Sequence, residues 1–248
     1  LSLEYVYDDA ITPATNIWHG LRYKIYADWF MQTSKLTELQ LQQKQGKTMF
    51  NVGFDARHYL PLYRNLIWAL RAAGDFSFGD QQVIYYLGGV DNWFGPKFND
   101  GNAPVQPNNY TYQSLAVNMR GFKQNVANGN NAVVINSEFR LPVFTTFFNK
   151  PINNAFLRNF QLVQFVDLGT AWAGSVSNIR RPQVVYSTIP TAPSVRFKAG
   201  GIGPFAGGYG FGARSTLLGY FLRVDAAWEM NGIFRNKPMW YFAMGVDF

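Results

Sequence analysis

Apolar and polar residues alternate with a period of two along most of the chain. In LRYKIYADWF, Leu21, Tyr23, Ile25, Ala27 and Trp29 share one face and Arg22, Lys24, Tyr26 and Asp28 the other, because successive strand side chains point to opposite sides. Phe50, Val52, Phe54 and Ala56 oppose Asn51, Gly53, Asp55 and Arg57, while Leu66, Trp68 and Leu70 oppose Ile67, Ala69 and Arg71. Val133, Ile135, Phe139 and Leu141 oppose Asn136, Glu138 and Arg140, and Tyr220, Leu222, Val224 and Trp228 oppose Arg223 and Asp225. The pattern predicts about ten strands, near 1–8, 19–30, 47–59, 64–78, 81–89, 131–143, 156–172, 196–214, 217–230 and 238–248. Short turns alternate with long polar connections. The longest connection, about 90–130, is rich in Asn, Gly and Pro, and a second, about 174–195, holds Pro182, Pro190 and Pro193. No domain boundary interrupts the series, so residues 1–248 read as one all-β, antiparallel domain.

Two architectures share this alternation. A soluble sandwich or lipocalin-like barrel turns the apolar face inward, and a transmembrane barrel turns it outward. Composition favours the second. Charged residues make up only 15% and aromatics 17%, yet no segment approaches the roughly 18 apolar residues of a membrane helix. Trp29, Tyr59, Trp172, Trp228 and Trp240 fall near strand ends, as interfacial girdles do. The last segment places Trp240, Phe242, Met244, Val246 and Phe248 on one face, the ending of outer-membrane barrels. The expected location is the bacterial outer membrane. The opening residues show no charged n-region followed by an apolar h-region, so the chain reads as a mature or partial product.

Several chemistries are disfavoured. There is no cysteine, so thiol catalysis and a disulfide framework are excluded. The net charge is +7, but Lys and Arg are scattered singly along alternating segments, which argues against nucleic acid. His19 and His58 lie on different predicted strands, so no metal site and no cofactor are expected. No G-x-S-x-G elbow appears, so no enzyme is expected; the remaining enzymatic option is an outer-membrane phospholipase pairing His58 with a Ser. GGIGPFAGGYGFG lacks the strand-turn-helix context of a phosphate loop. It predicts a strand of small residues that bends or that an inner element approaches closely.

Three stretches stand in order before the terminal Phe: NMRGF, FVDLGTAW and GYGFGARSTLLGYFLRVDAAW. If the long connection folds inward, Arg120 needs a buried carboxylate, and Asp167 on the polar face offers a two-bond partner. Gly121 permits a tight turn or close approach, and Phe122 can pack on inner aromatics. In this order the stretches resemble the BamA-type outer-membrane insertase and translocator superfamily, the bacterial surface antigen family. Met119, Arg120, Gly121 and Phe122 match its inward-loop motif; Phe165, Asp167 and Gly169 match its strand motif; NSEFRLPVF, with Glu138, Arg140 and Pro142, matches the strand after the loop. The likeness extends over about the whole chain, with sharp motifs from about residue 118.

The resemblance implies that the chain is the C-terminal part of a sixteen-strand barrel. The long loop would fold into the lumen, among further lumen charges at Arg214, Arg223 and Asp225. The last strand, 238–248, with Gly245 inside it, would form one side of a lateral gate. The implied function is non-enzymatic: assembly and insertion of outer-membrane proteins, or polypeptide translocation. The implied partners are outer-membrane lipids, unfolded barrel or secreted client proteins, and accessory lipoproteins or another chain that completes the wall. The alternative is an anchor or secretion pore for an upstream effector domain, or a subunit of a larger outer-membrane complex.

Overall fold

Long alternating runs become long strands paired with their neighbours. The computed structural model describes residues 1–36, 38, 46–104, 110–115, 118–186 and 195–248; Pro190 and Pro193 lie outside the described residues. One sheet dominates, with nine strands along its path: β1 (Ser2–Asp8), β3 (Ile17–Met31), β4 (Thr48–Tyr63), β5 (Leu66–Gly79), β9 (Asn131–Pro142), β10 (Gln161–Trp172), β14 (Phe205–Leu217), β15 (Tyr220–Glu229) and β16 (Met239–Met244). Two short strands, β2 (Ile11–Ala14) and β13 (Gly201–Ile202), add to β3 and β14, making eleven in all. All pairings in this sheet are antiparallel.

The sheet curls strongly. β3 and β16 are seven strand spacings apart along the path, roughly 34 Å if the sheet were flat. Yet Asn16, at the start of β3, donates from Nδ2 to Asp247 Oδ2 at 2.9 Å. The sheet therefore has an inner and an outer face. The inner face carries the charges: Arg140 and Asp167 are each 0% exposed. The outer face carries the apolar residues: Phe211 is 51% exposed and Trp240 55%. This is the reverse of a water-soluble sandwich, in which the apolar face is covered.

One end of the sheet has tight turns. β14 and β15 are joined at Leu218–Gly219, both with positive φ (51° and 86°), the geometry that matches strand twist. The same end holds the β4–β5 turn at Arg64 and Asn65 and the β9–β10 connection. That connection forms two short helices, α1 (Val143–Phe147) and α2 (Ala155–Arg158). The opposite end carries the long connections: 32–47, 80–130 and 173–204.

Four expectations are corrected. The 81–89 segment is not a wall strand. β6 (Gln82–Leu87) pairs in parallel with β7 (Tyr110–Leu115) and antiparallel with β8 (Ala127–Gly129) in a separate small sheet. Its apolar residues on both sides are buried, including Val83, Ile84 and Tyr85, and Gly88 and Gly89, with φ of 113° and 80°, turn the chain inward after it. The 156–172 strand begins only at Gln161, because Asn154 caps α2 through its Oδ1. The 196–214 segment is split: β12 (Val195–Lys198) pairs with β11 (Gln183–Tyr186), and Gly201 and Gly203 (φ 155° and 56°) separate it from β14. The last strand ends at Met244, not Phe248.

Candidate functional site

Described residues of the 80–130 connection enter the curl of the sheet and pack there. Leu87, Met119, Phe122 and Val126 join Val134 and Ala171 of the wall in one buried cluster. Within the connection, Met119 N donates to Gly89 O at 3.0 Å and Val126 N to Leu87 O at 2.9 Å. These contacts set residues 119–122 against β10, β14 and β16.

Arg120 is held by two carboxylates. Its Nε donates to Asp167 Oδ2 at 2.7 Å and its Nη2 to Asp167 Oδ1 at 2.8 Å, a two-bond fork. Its backbone N also donates to Asp167 Oδ2, at 2.9 Å. Nη2 lies 2.6 Å from Glu138 Oε1, and the guanidinium sits 3.6 Å from the centre of the Phe165 ring, a cation–π distance. Burial works against the charge on Arg120, but Asp167 and Glu138 outweigh it and raise its pKa well above the ordinary guanidinium value. Asn136 braces the acceptor, donating from Nδ2 to Asp167 Oδ1 at 2.9 Å and to Asn118 O at 2.9 Å.

Gly121 has φ 97°, and a Cβ there would lie 3.0 Å from Trp228 O. Its N donates to Tyr241 Oη at 3.0 Å, and Tyr241 Oη donates to Phe122 O at 2.7 Å. Tyr241, on the inner face of β16, thus binds the loop tip from a second strand besides that of Asp167. Gly169 makes room for Met119: a Cβ there would lie 2.9 Å from its sulfur.

The glycine-rich stretch of β14 shows why it carries no inner side chains from Gly208 to Gly212. Gly208, Gly210 and Gly212 of β14 all face inward. A Cβ on Gly208 would lie 1.9 Å from Arg120 O, one on Gly210 2.7 Å from the Phe165 ring, and one on Gly212 1.9 Å from Asp225 Oδ1. The loop backbone, a ring and an ion pair occupy the space side chains would fill.

The charges continue toward the tight-turn end. Arg140 Nε meets Glu138 Oε2 at 2.8 Å. Arg214 bridges Asp225 at 2.6 Å and Asp247 at 2.9 Å, and Arg223 reaches Asp247 at 3.1 Å. Four arginines (120, 140, 214 and 223) face four carboxylates (138, 167, 225 and 247), so the buried set is neutral. Sequence reading named Met119, Arg120, Gly121, Phe122, Phe165, Asp167, Gly169, Glu138, Arg140, Arg214, Arg223 and Asp225, and the structure gathers all of them along one inner face or on the loop against it. It missed Asn16, Asn136, Tyr241 and Asp247. Asn136, Tyr241 and Asp247 carried a signal, since each alternates onto a polar or inner position.

The C-terminal residues divide. Trp240 and Phe242 lie outward on β16, and Val246 is exposed. Phe248 does not join them, which corrects the expected single apolar face. Gly245 (φ 109°) turns the chain, Asp247 is drawn inward to Arg214 and Arg223, and the Phe248 ring comes 5.0 Å from the Arg140 guanidinium. The free edge of β16 meets the entering loop: Trp93 bridges Ala243 and Phe94 N donates to Phe242 O at 2.8 Å. β1 and β16 end the path of the sheet and do not pair with each other. His19 and His58 sit on the adjacent strands β3 and β4.

No protein-family model and no curated protein sequence matches the chain. Among solved structures, it is similar to BamA from Haemophilus ducreyi lacking POTRA domains 1–3, with TM-score 0.53 and 16% identity over 97% of this chain and 41% of that one. The chain thus spans less than half the length of that structure, and the likeness is one of fold.

Proposed function

We propose that the chain is the barrel region of an outer-membrane insertase or translocator. On this reading its strands cross the membrane, the apolar outer face meets lipid, and the charged inner face lines a lumen. The observation that carries the reading is the Arg120–Asp167 fork beneath the Met119–Phe122 tip, in a sheet with the fold of BamA. The loop's work is mechanical: it ties β9, β10, β14 and β16 together from inside, so the side of the sheet next to β16 is held in one shape while a client meets the part of that strand's edge that Trp93 and Phe94 leave open. The client is an unfolded barrel or a secreted polypeptide, and no cofactor takes part.

The test is client folding. Vesicles carrying the protein are expected to accelerate folding of a urea-denatured outer-membrane barrel relative to empty vesicles, and Arg120→Ala to lose that acceleration. Equal rates with and without the protein would sink the insertase reading. The second reading, a secretion pore or anchor, is favoured by the inner face of β1 and β3. There Lys24 pairs with Glu4 at 2.7 Å and Arg22 with Asp8 at 3.4 Å, with all four side chains about two-fifths exposed. Steady ion conductance across a planar bilayer, without client folding, would select it.

A further inference from the structure

The β9–β10 connection has a composition unlike the other turns. From Phe139 to Val166 there is no Asp or Glu, while residues 143–160 hold five Phe together with Lys150 and Arg158. Four of those rings form a chain: Phe148 lies 6.1 Å from Phe144, Phe144 5.7 Å from Phe160, and Phe160 6.1 Å from Phe156. A soluble protein would cover such a cluster. Here Phe147 is 61% exposed and Phe148 60%.

The segment is nevertheless fixed in place. Arg64 Nη1 donates to Thr146 O at 2.8 Å and Asn65 Nδ2 to Thr145 O at 3.1 Å. On the other side, Ser215 Oγ donates to Phe156 O at 2.6 Å and Asn159 Nδ2 to Thr216 Oγ1 at 2.9 Å. The β4–β5 turn and the end of β14 therefore hold α1 and α2 with Phe147, Phe148 and Phe156 outward, at the cost of four hydrogen-bonding groups committed to an exposed apolar patch. The patch runs on from the outer face of the wall: Leu141 pairs with Leu162 just above it. Its charge is one-sided, with exposed Arg64, Lys150 and Arg158.

We propose that this connection is an interfacial wedge that seats in the leaflet on the tight-turn side and binds anionic phospholipid. The phenylalanines enter the level where headgroups meet acyl chains, and the three cations meet lipid phosphates. Rings inserted there on one side only would spread the headgroups of that leaflet beside β9 and β10. The proposal rests on the membrane reading of the sheet.

The absence of cysteine makes single labels unambiguous. Phe148→Cys and Leu157→Cys, each carrying an environment-sensitive fluorophore, are compared with Phe211→Cys in the middle of β14. The full chain is placed in phosphatidylcholine vesicles with and without phosphatidylglycerol. Labels at 148 and 157 are expected to lose emission to a nitroxide near the headgroup, and to lose more when phosphatidylglycerol is present. Lys150→Gln with Arg158→Gln is expected to remove that extra loss. A 148 label quenched by aqueous iodide, while the 211 label is quenched by a mid-chain nitroxide, overturns the wedge and leaves the membrane reading standing. A 148 label shielded from both quenchers means protein covers the patch, which also overturns it. Equal quenching in the two lipid mixtures overturns the anionic-lipid claim. If the 211 label itself faces water, the membrane reading fails and the wedge with it.

Discussion

Arg120 sits buried between Asp167 and Glu138, beside a polar cavity of only about 10 Å³, and each carboxylate there has its own further cation or donor. Removing one member leaves an uncompensated buried charge, which costs about 3–5 kcal/mol. Arg120→Ala is expected to lower the unfolding free energy by that amount, read from urea titration in detergent micelles. Reversing the pair, Arg120→Glu with Asp167→Arg, is expected to recover only part of the loss, because the new Glu would face Glu138. Full recovery would mean that Glu138 contributes nothing. Gly208→Ala offers a test without charge: its Cβ would lie 1.9 Å from Arg120 O, and such overpacking costs about 1–3 kcal/mol. The exposed Gly203 has nothing within 4 Å of a Cβ, so its substitution carries only the strain of its positive φ and is expected to cost less than Gly208→Ala. The Arg–Asp pairing was legible in the sequence because a buried Arg requires a carboxylate and only a few lay on polar faces. Asp247 shares the alternation face of Tyr241, so its inward direction was legible; its pairing with Arg214 and Arg223 was not, because alternation gave no hint of the turn at Gly245 that brings it to them.

At the level of elements, the entering loop and the last strand are coupled. Trp93 bridges Ala243, and the Trp93 ring packs 4.7 Å from Tyr241. The chain contains no other thiol, so Trp93→Cys with Ala243→Cys is expected to form an intramolecular disulfide on oxidation, seen as a mobility shift on a non-reducing gel. Failure to form it would show that the loop does not rest along β16. Strand positions were readable from the period of two wherever one face is buried and the other is not. β6 misled that reading because its unbroken apolar run, Val83 to Leu87, marks a strand covered on both sides without saying which sheet it joins. The short helices α1 and α2 also escaped it, since a four- or five-residue helix has too few positions to show a period.

For the molecule as a whole, the decisive property is which face of the sheet is covered. If the outer face meets lipid, Phe211→Arg, at the middle of β14, is expected to destabilise the protein in bilayers by about 2–4 kcal/mol. A cost near zero in a vesicle unfolding titration would place that face in water. The sequence by itself determined that two faces exist, one apolar and one charged, and that the chain is a series of antiparallel strands, because strand geometry forces that separation residue by residue. It also marked the loop tip and its carboxylate. Only the tertiary structure decided that the charged face is the inner one, that the sheet curls until Asn16 reaches Asp247, and that Gly208 of β14 stands empty to admit the loop. Those are matters of which distant residues share a space, and local alternation carries no record of distance across a sheet.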